Sequence, residues 1–432
     1  MPEPGRRPCL RLVVASACLL LPLLAAALTP GPEDALLPPG AGDPDWHIAV
    51  SGADELAVAG NGQRRALAAA LRHYRALEAA GGWPAVPAGP ILRPGQRDAR
   101  IAPLRVRLRL GGDWQGEMQA DPKFFDAALA DALRHFQRRH GLPASGELDP
   151  ATVAALNVPA ADRAAQLLAA LQRWRWLPAQ MPADYIWVNT AAAELTLVDD
   201  GRERLKMRTV VGHPSRPTPS LRSEIGLIVV NPAWVVPPSI ARKDILPRQI
   251  RNPDYLGEKR FTVYSSWQAD GVVVNPRAID WQALSDRRFP YRLVQAPGPW
   301  NSLGRVKFVM PNAWDIYLHD TNAAWLFALS RRAFSSGCIR LADAPRLALE
   351  VLEMSGGPAE LLPHYLHSGR TRALALPEAL PVYLVYQSAW IDAAGEINFR
   401  DDAYGRDRRL AEAIQAMTTV PGPGAVAQSS GR

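Results

Sequence analysis

A chain of 432 residues is long enough for about three domains, or two with an insertion, and 48% hydrophobic with 21% charged residues excludes disorder throughout. The net charge is +7, yet Arg alternates with Asp and Glu and no basic block stands out, which argues against nucleic acid as a partner. Three cysteines, Cys9, Cys18 and Cys338, are too few for a disulfide scaffold.

Arg6, Arg7 and Arg11 precede an apolar run from Leu12 to Leu28 that ends in Ala25-Ala26-Ala27. A charged start, an apolar stretch and small residues read as an export signal over residues 1–27. An uncleaved membrane anchor stays open, because a run of 17 residues reaches the lower limit of a span. Cleavage near Ala27 removes Cys9 and Cys18 and leaves Cys338 as a lone thiol in an exported protein.

Residues 28–45 are rich in Pro, Gly and Asp and read as a linker. A helical scaffold region follows over 46–100. Its helix runs from Gly62 to Ala80, with Leu67, Ala70, Leu71, Tyr74 and Leu77 at helical spacing and Gly81-Gly82 as the stop. Residues 101–156 form a compact helical unit. Ile101–Leu110 is broken by Gly111-Gly112-Asp113, and a helix over Phe124–His140 carries Leu129, Leu133 and Phe136 on one face. Asp149 then caps a helix that has Pro150 in its first turn and ends at Leu156. A connector over 157–184 contains a helix at Ala160–Trp176.

The periodicity changes at Tyr185. Strands are predicted at Tyr185–Asn189 and Glu194–Val198, with a turn at Asp199-Asp200-Gly201, and again at Met207–Val211 and Ile225–Val230. Residues 236–300 are mixed, with Tyr255, Trp267, Trp281, Tyr291 and Trp300 set among Pro and Gly. Strands resume at Val306–Met310 and Asp315–Leu318, followed by a helix at Ala344–Glu353. Val382–Gln387 and Ile397–Phe399 are expected to flank a turn at Ala393-Ala394-Gly395. Residues 411–432 read as a helix end and a disordered tail.

The chemistry concentrates in two short motifs. Ile316-Tyr317-Leu318-His319-Asp320-Thr321 is a strand ending in His, and Cys338 follows nineteen positions on within Ser335-Ser336-Gly337-Cys338-Ile339-Arg340. A thiol nucleophile needs a base, and imidazole suits that role. Gly337 permits a tight turn whose N–H groups converge on an oxyanion. Arg340 offers a cation to a substrate carboxylate or to the reacting carbonyl. Residue types alone also allow a buried Cys and an unconnected His. A zinc peptidase is a poor fit, since His135 and His140 diverge on their helix and no His-Glu-x-x-His occurs.

Tyr317-Leu318-His319-Asp320-Thr321 and Phe334-Ser335-Ser336-Gly337-Cys338-Ile339-Arg340-Leu341 resemble the L,D-transpeptidases with a YkuD-type catalytic domain, in particular their large periplasmic branch. Val211-Gly212, Thr218-Pro219 and Asn231–Ile240 are similar to the same branch, and residues 101–156, including Phe136–Leu142, resemble a peptidoglycan-binding helical domain. The resemblance implies an α+β protein. A mainly β catalytic domain, a YkuD-like β-sandwich over 185–410 with a lid subdomain at about 236–300, joins a helical peptidoglycan-binding-like domain. By the same resemblance Cys338 is the nucleophile, His319 the general base and acid, and Gly337 an oxyanion donor. Arg340, Tyr317, Trp234 and Ser336 then contact substrate, with no metal or cofactor. The implied reaction removes the terminal D-Ala from a tetrapeptide stem through a Cys thioester and forms 3-3 crosslinks in peptidoglycan. Tetrapeptide stems are donor and acceptor, carbapenem-type β-lactams are covalent inhibitors, and the setting is the periplasm. The membrane is met only through an uncleaved N-terminal segment. An L,D-carboxypeptidase with water as acceptor, or a non-catalytic wall-binding protein, are the alternatives. The chain departs from many relatives in having Asp320 where they have Gly, Ser336 where they have His, and Ser220 where they have Gly. His319 is therefore left as the base, and Asp320 receives no catalytic role.

Overall fold

The computed structural model describes residues 62–116, 121–284 and 289–419; the expected leader, linker and tail lie outside them. Five helices open the described chain: α1 (Gly62–Ala79), α2 (Ile101–Leu110), α3 (Ala127–Arg139), α4 (Pro150–Leu156) and α5 (Ala160–Trp174). The caps fix their starts. Asp149 is extended and its carboxylate accepts from Thr152 N at 2.6 Å, as the sequence predicts. α3 begins three residues later than its apolar pattern because Asp126 stays extended and accepts from Leu129 N at 2.7 Å. α2 to α4 enclose their own core of Leu104, Leu108, Phe125, Leu133, Phe136 and Leu156. α1 and α5 instead pack on each other and on Tyr383, Val385 and Phe399 of the β domain.

That domain contains β1 (Tyr185–Asn189), β2 (Glu194–Asp199), β3 (Arg202–Gly212) and β4 (Leu221–Val230). The inserted β5 (Trp234–Val235), β6 (Phe261–Tyr264), β7 (Val273–Val274) and β8 (Arg292–Gln295) come next. β9 (Val306–Val309), β10 (Leu318–His319), β11 (Ala333–Ser335), β12 (Ile339–Leu341), β13 (Arg372–Val385), β14 (Ala389–Ile391) and β15 (Ile397–Phe399) complete it. The main sheet has nine strands in the order β11-β3-β12-β10-β9-β4-β13-β1-β2, and β2 pairs back onto β3. The expected sandwich is thus one sheet closed through the long β3, with Ile186, Ile228, Phe308, Leu318, Ile339 and Leu384 inside. A helix at Ala344–Met354 adds Leu347, Val351 and Leu352 to this core.

β5 to β8 form a separate four-stranded sheet with its own core of Val236, Leu246, Leu256, Trp281 and Leu293. Buried Asn301 ties the ends of this insertion, its Nδ2 donating to the carbonyls of Pro232 and Ala296 at 2.9 Å each. The segment predicted as a mixed insertion is therefore a folded subdomain, called the lid after the role expected of it.

Several expectations change. The strand predicted at Asp315–Leu318 shrinks to Leu318–His319, because Asp315 adopts a φ of 53° and Asn312 folds the preceding segment back through Ile316 O at 2.7 Å. Of the strand predicted at Val382–Gln387, Val382 to Val385 are the end of β13 in the main sheet, and the partner of Ile397–Phe399 is β14. A helix at Leu361–Ser368, closed by Gly369 at a φ of 62°, had no clear signal in the sequence. The C-terminal helix is longer than a helix end, spanning Arg406–Thr419.

Candidate active site

The site is built by strand register. β10 runs parallel to β12, pairing Leu318 with Ile339 and His319 with Arg340. On its other side β10 meets β9, with His319 opposite Lys307. Leu318, Ile339 and Phe308 are fully buried in the closed sheet. Alternation then turns His319, Arg340 and Lys307 to the other face together. Tyr317 and Cys338 each precede their strand by one residue, and Ile339 N donates to Tyr317 O at 3.1 Å, so both extend that face. Spacing of nineteen residues thereby becomes adjacency in space.

The loop that carries Cys338 is knotted by short hydrogen bonds. Buried Ser335 donates from Oγ to the Cys338 carbonyl at 2.5 Å and accepts from Gly337 N at 3.1 Å. Gly337 has a φ of 122°, a value that favours glycine, and an added Cβ would lie 2.9 Å from Ile316 Cδ1. Thr218, fully buried, donates from Oγ1 to the Gly337 carbonyl at 2.7 Å and accepts from Gly212 N at 2.9 Å. In this arrangement the Gly337 N–H, expected as an oxyanion donor, is engaged by Ser335 Oγ. The Cys338 N–H, like that of Ser336, meets no acceptor among the described residues, which makes it an open donor next to the thiol.

His319 is buried, and its Nδ1 contacts the Asp320 carbonyl oxygen at 2.5 Å. A carbonyl only accepts, so Nδ1 carries the proton and Nε2 is left as the acceptor. Burial, then Arg340 and Lys307, lower the imidazole to a pKa of about 3, so it is neutral at ordinary pH. Burial also raises the half-buried Cys338 thiol, against the Tyr317 N–H and the charges of Lys307 and Arg340, which pull it down. One face therefore carries both a thiol and a neutral imidazole, and the two cations favour the thiolate. Sγ lies 3.8 Å from the Asp315 carbonyl oxygen.

Asp320 serves the fold. Its carboxylate accepts from Arg305 N at 2.8 Å and occupies the space a side chain at Gly304 would need. Tyr317 lies beside His319, with ring centroids 5.5 Å apart, and its hydroxyl is set among the Trp234 indole and the Cys338 thiol. Trp234 thus reaches the site from β5 of the lid. Ser336 is turned to the lid as well: Arg216 donates to Ser336 Oγ at 2.9 Å and bridges to both oxygens of Asp244 at 2.6 and 2.9 Å. Asp244 sits on a π-helical turn, Ala241–Ile245, of the lid.

The structure brings together Cys338, His319, Gly337, Arg340, Tyr317, Trp234 and Ser336. It adds Lys307, Thr218, Arg216 and Asp244, which sequence reasoning did not single out as functional. The histidines of the helical unit lie elsewhere: His135 bridges Asp113 and Glu396 at 2.9 and 2.8 Å, and His140 donates to Phe136 O at 2.8 Å.

Residues 183–358 match the family described as the L,D-transpeptidase catalytic domain, and residues 109–156 match the "Putative peptidoglycan binding domain". A protein of Haemophilus influenzae named "Putative L,D-transpeptidase" is 37% identical over 225 residues, which cover 52% of this chain and 45% of that relative. Among solved structures, L,D-transpeptidase (Yku) from Stackebrandtia nassauensis is 14% identical, with a TM-score of 0.26, over 70% of this chain and 96% of its own. An L,D-transpeptidase from Xylanimonas cellulosilytica is 15% identical, with a TM-score of 0.21, over 69% of this chain and 99% of its own.

Proposed function

We propose that this chain, which carries an L,D-transpeptidase catalytic domain, removes the terminal D-Ala from a tetrapeptide stem and joins the remaining acyl group to a second stem as a 3-3 peptidoglycan crosslink. The observation that carries this reading is the register of β10 against β12, which sets Cys338 beside a neutral His319 on one face. In the first half-reaction Sγ of Cys338 bonds to the carbonyl carbon of the third stem residue while His319 Nε2 takes the thiol proton. The developing oxyanion is held by the Cys338 N–H. His319 then gives the proton to the amide nitrogen as the C–N bond breaks and D-Ala leaves. In the second half-reaction the side-chain amine of another stem's diamino acid attacks the thioester, and its proton returns through His319 to the sulfur.

Water competes for the same thioester. The lid, docked through Trp234 and the Asp244–Arg216–Ser336 bridge, favours the crosslinking reading over a carboxypeptidase by excluding it. The helical unit at 109–156 would hold the polymer near the thiol and raise its local concentration. Carbapenem-type β-lactams, which acylate nucleophiles, are proposed as covalent inhibitors at Cys338. The work is placed in the periplasm, to which the N-terminal segment would export the chain.

Mass spectrometry tests the reading with wild type and Cys338→Ala on a disaccharide-tetrapeptide. A dimer that has lost one D-Ala, absent with the variant, is expected. Free tripeptide without dimer identifies a hydrolase. No product and no adduct on Cys338, with a carbapenem present, overturns the thiol mechanism.

A further inference from the structure

We propose that Lys307 and Arg340 together form a subsite for a substrate carboxylate beside the Cys338 thiol, with Lys307 its specificity-determining member. The inference rests on the reading above and extends it to a residue not singled out in the sequence. Lys307 stands opposite His319 in the β9–β10 register, on the face that carries the thiol. Its Nζ lies 4.0 Å from the centroid of the Tyr317 ring. Arg340 follows on the other flank, paired with His319, and its Nε is buried with no hydrogen-bond partner.

The charge balance of this face is uneven. Among the described residues neither cation is within ion-pair distance of a carboxylate, whereas Arg204, Arg216 and Arg277 all are. Asp315 acts on Lys307 only from longer range. A ring face offsets part of the cost of desolvating an ammonium but does not neutralise it. Each of the two is a partly buried cation, costly to hold without an anion nearby. The thiolate meets that need only in passing, and once Cys338 is acylated the sulfur is neutral while both cations remain. An enzyme that releases one terminal residue meets that residue's free carboxylate next to the scissile bond. The diamino acid brings a second carboxylate one residue away. Both sources share the chemistry that Lys307 and Arg340 fit.

The test measures kcat/KM for release of the terminal residue by wild type, Lys307→Met and Lys307→Arg. Three substrates are used: the disaccharide-tetrapeptide, its C-terminal carboxamide, and its analogue amidated at the diamino acid carboxyl. Lys307→Met is expected to lose about 10–100-fold on the unmodified stem, mainly through KM, with Lys307→Arg recovering most of it. On the analogue lacking the recognised carboxylate, wild type falls to the level of Lys307→Met and the substitution costs nothing more. Which amide does this identifies the carboxylate. An equal loss on all three substrates, or no loss, overturns the proposal. Where Lys307→Met does not fold, wild-type indifference to both amidations overturns it as well. Wild-type inactivity on every substrate would instead refute the transpeptidase reading.

Discussion

Thr218→Val removes one oxygen and keeps the shape of a fully buried side chain. That oxygen links the Gly337 carbonyl, at 2.7 Å, to the Gly212 N–H, at 2.9 Å. The substitution leaves one buried acceptor and one buried donor without a partner. Each costs roughly 1–3 kcal/mol, so the pair costs about 2–4 kcal/mol once the loop relaxes. For a domain of this size that corresponds to a fall in melting temperature of roughly 5–15 °C. Function falls further than stability alone requires, because the freed Gly337 peptide no longer holds Cys338 in register with Tyr317. Thermal unfolding gives the first quantity, and carbapenem acylation followed by intact mass gives the second, with a loss of at least about tenfold expected. Thr218→Ser keeps the hydroxyl and is expected to retain most of both. A valine variant that unfolds within a degree of wild type and acylates at the same rate would refute the reasoning.

Gly337→Ala is expected to abolish acylation while far-UV circular dichroism stays unchanged, since the strain at a φ of 122° falls on the loop alone; an active alanine variant would show that the turn is not required. Asp244→Asn should weaken the grip of Arg216 and speed hydrogen exchange in the lid over 241–264, with the main sheet unaffected; unchanged exchange there would show that the bridge does not hold the lid. The pH dependence follows from the directions of the shifts. With the thiol raised and His319 at about 3, iodoacetamide labelling of Cys338 should climb through alkaline pH with no inflection near 6.5; an inflection there would mean a thiolate–imidazolium pair. The same depressed imidazole lowers stability on acidification. The unfolded chain takes up its proton below about pH 6.5 and the folded chain does not until about 3, so stability is lost across that window.

What was legible in the sequence was local. Asp149-Pro150 announced a helix because cap and first turn are neighbours in the chain, and the thiol motif carried its own identity. Lys307 escaped because a lysine in Val-Lys-Phe-Val reads as the wet side of a half-buried strand; here that side is the face shared with His319. Arg216, Asp244 and Ser336 lie 28 and 92 positions apart, so nothing short of the fold joins them. That the Gly337 N–H donates to the Ser335 hydroxyl was equally illegible, since no residue pattern tells which acceptor Ser335 offers. β14 was missed because its three residues pair only with β15.

The helical unit is spliced between α1 and α5, and both of those helices are packed on the same β domain. It is further riveted to the β14–β15 hairpin by His135 to Glu396 at 2.8 Å and by Arg400 to the Arg139 carbonyl at 3.1 Å. A module on one flexible leash sweeps a volume; one gripped at both ends and along its side does not. Whatever this unit holds is therefore held at a set distance and bearing from Cys338. The frame works as a caliper, fixing the spacing between the helical unit and the Cys338 face.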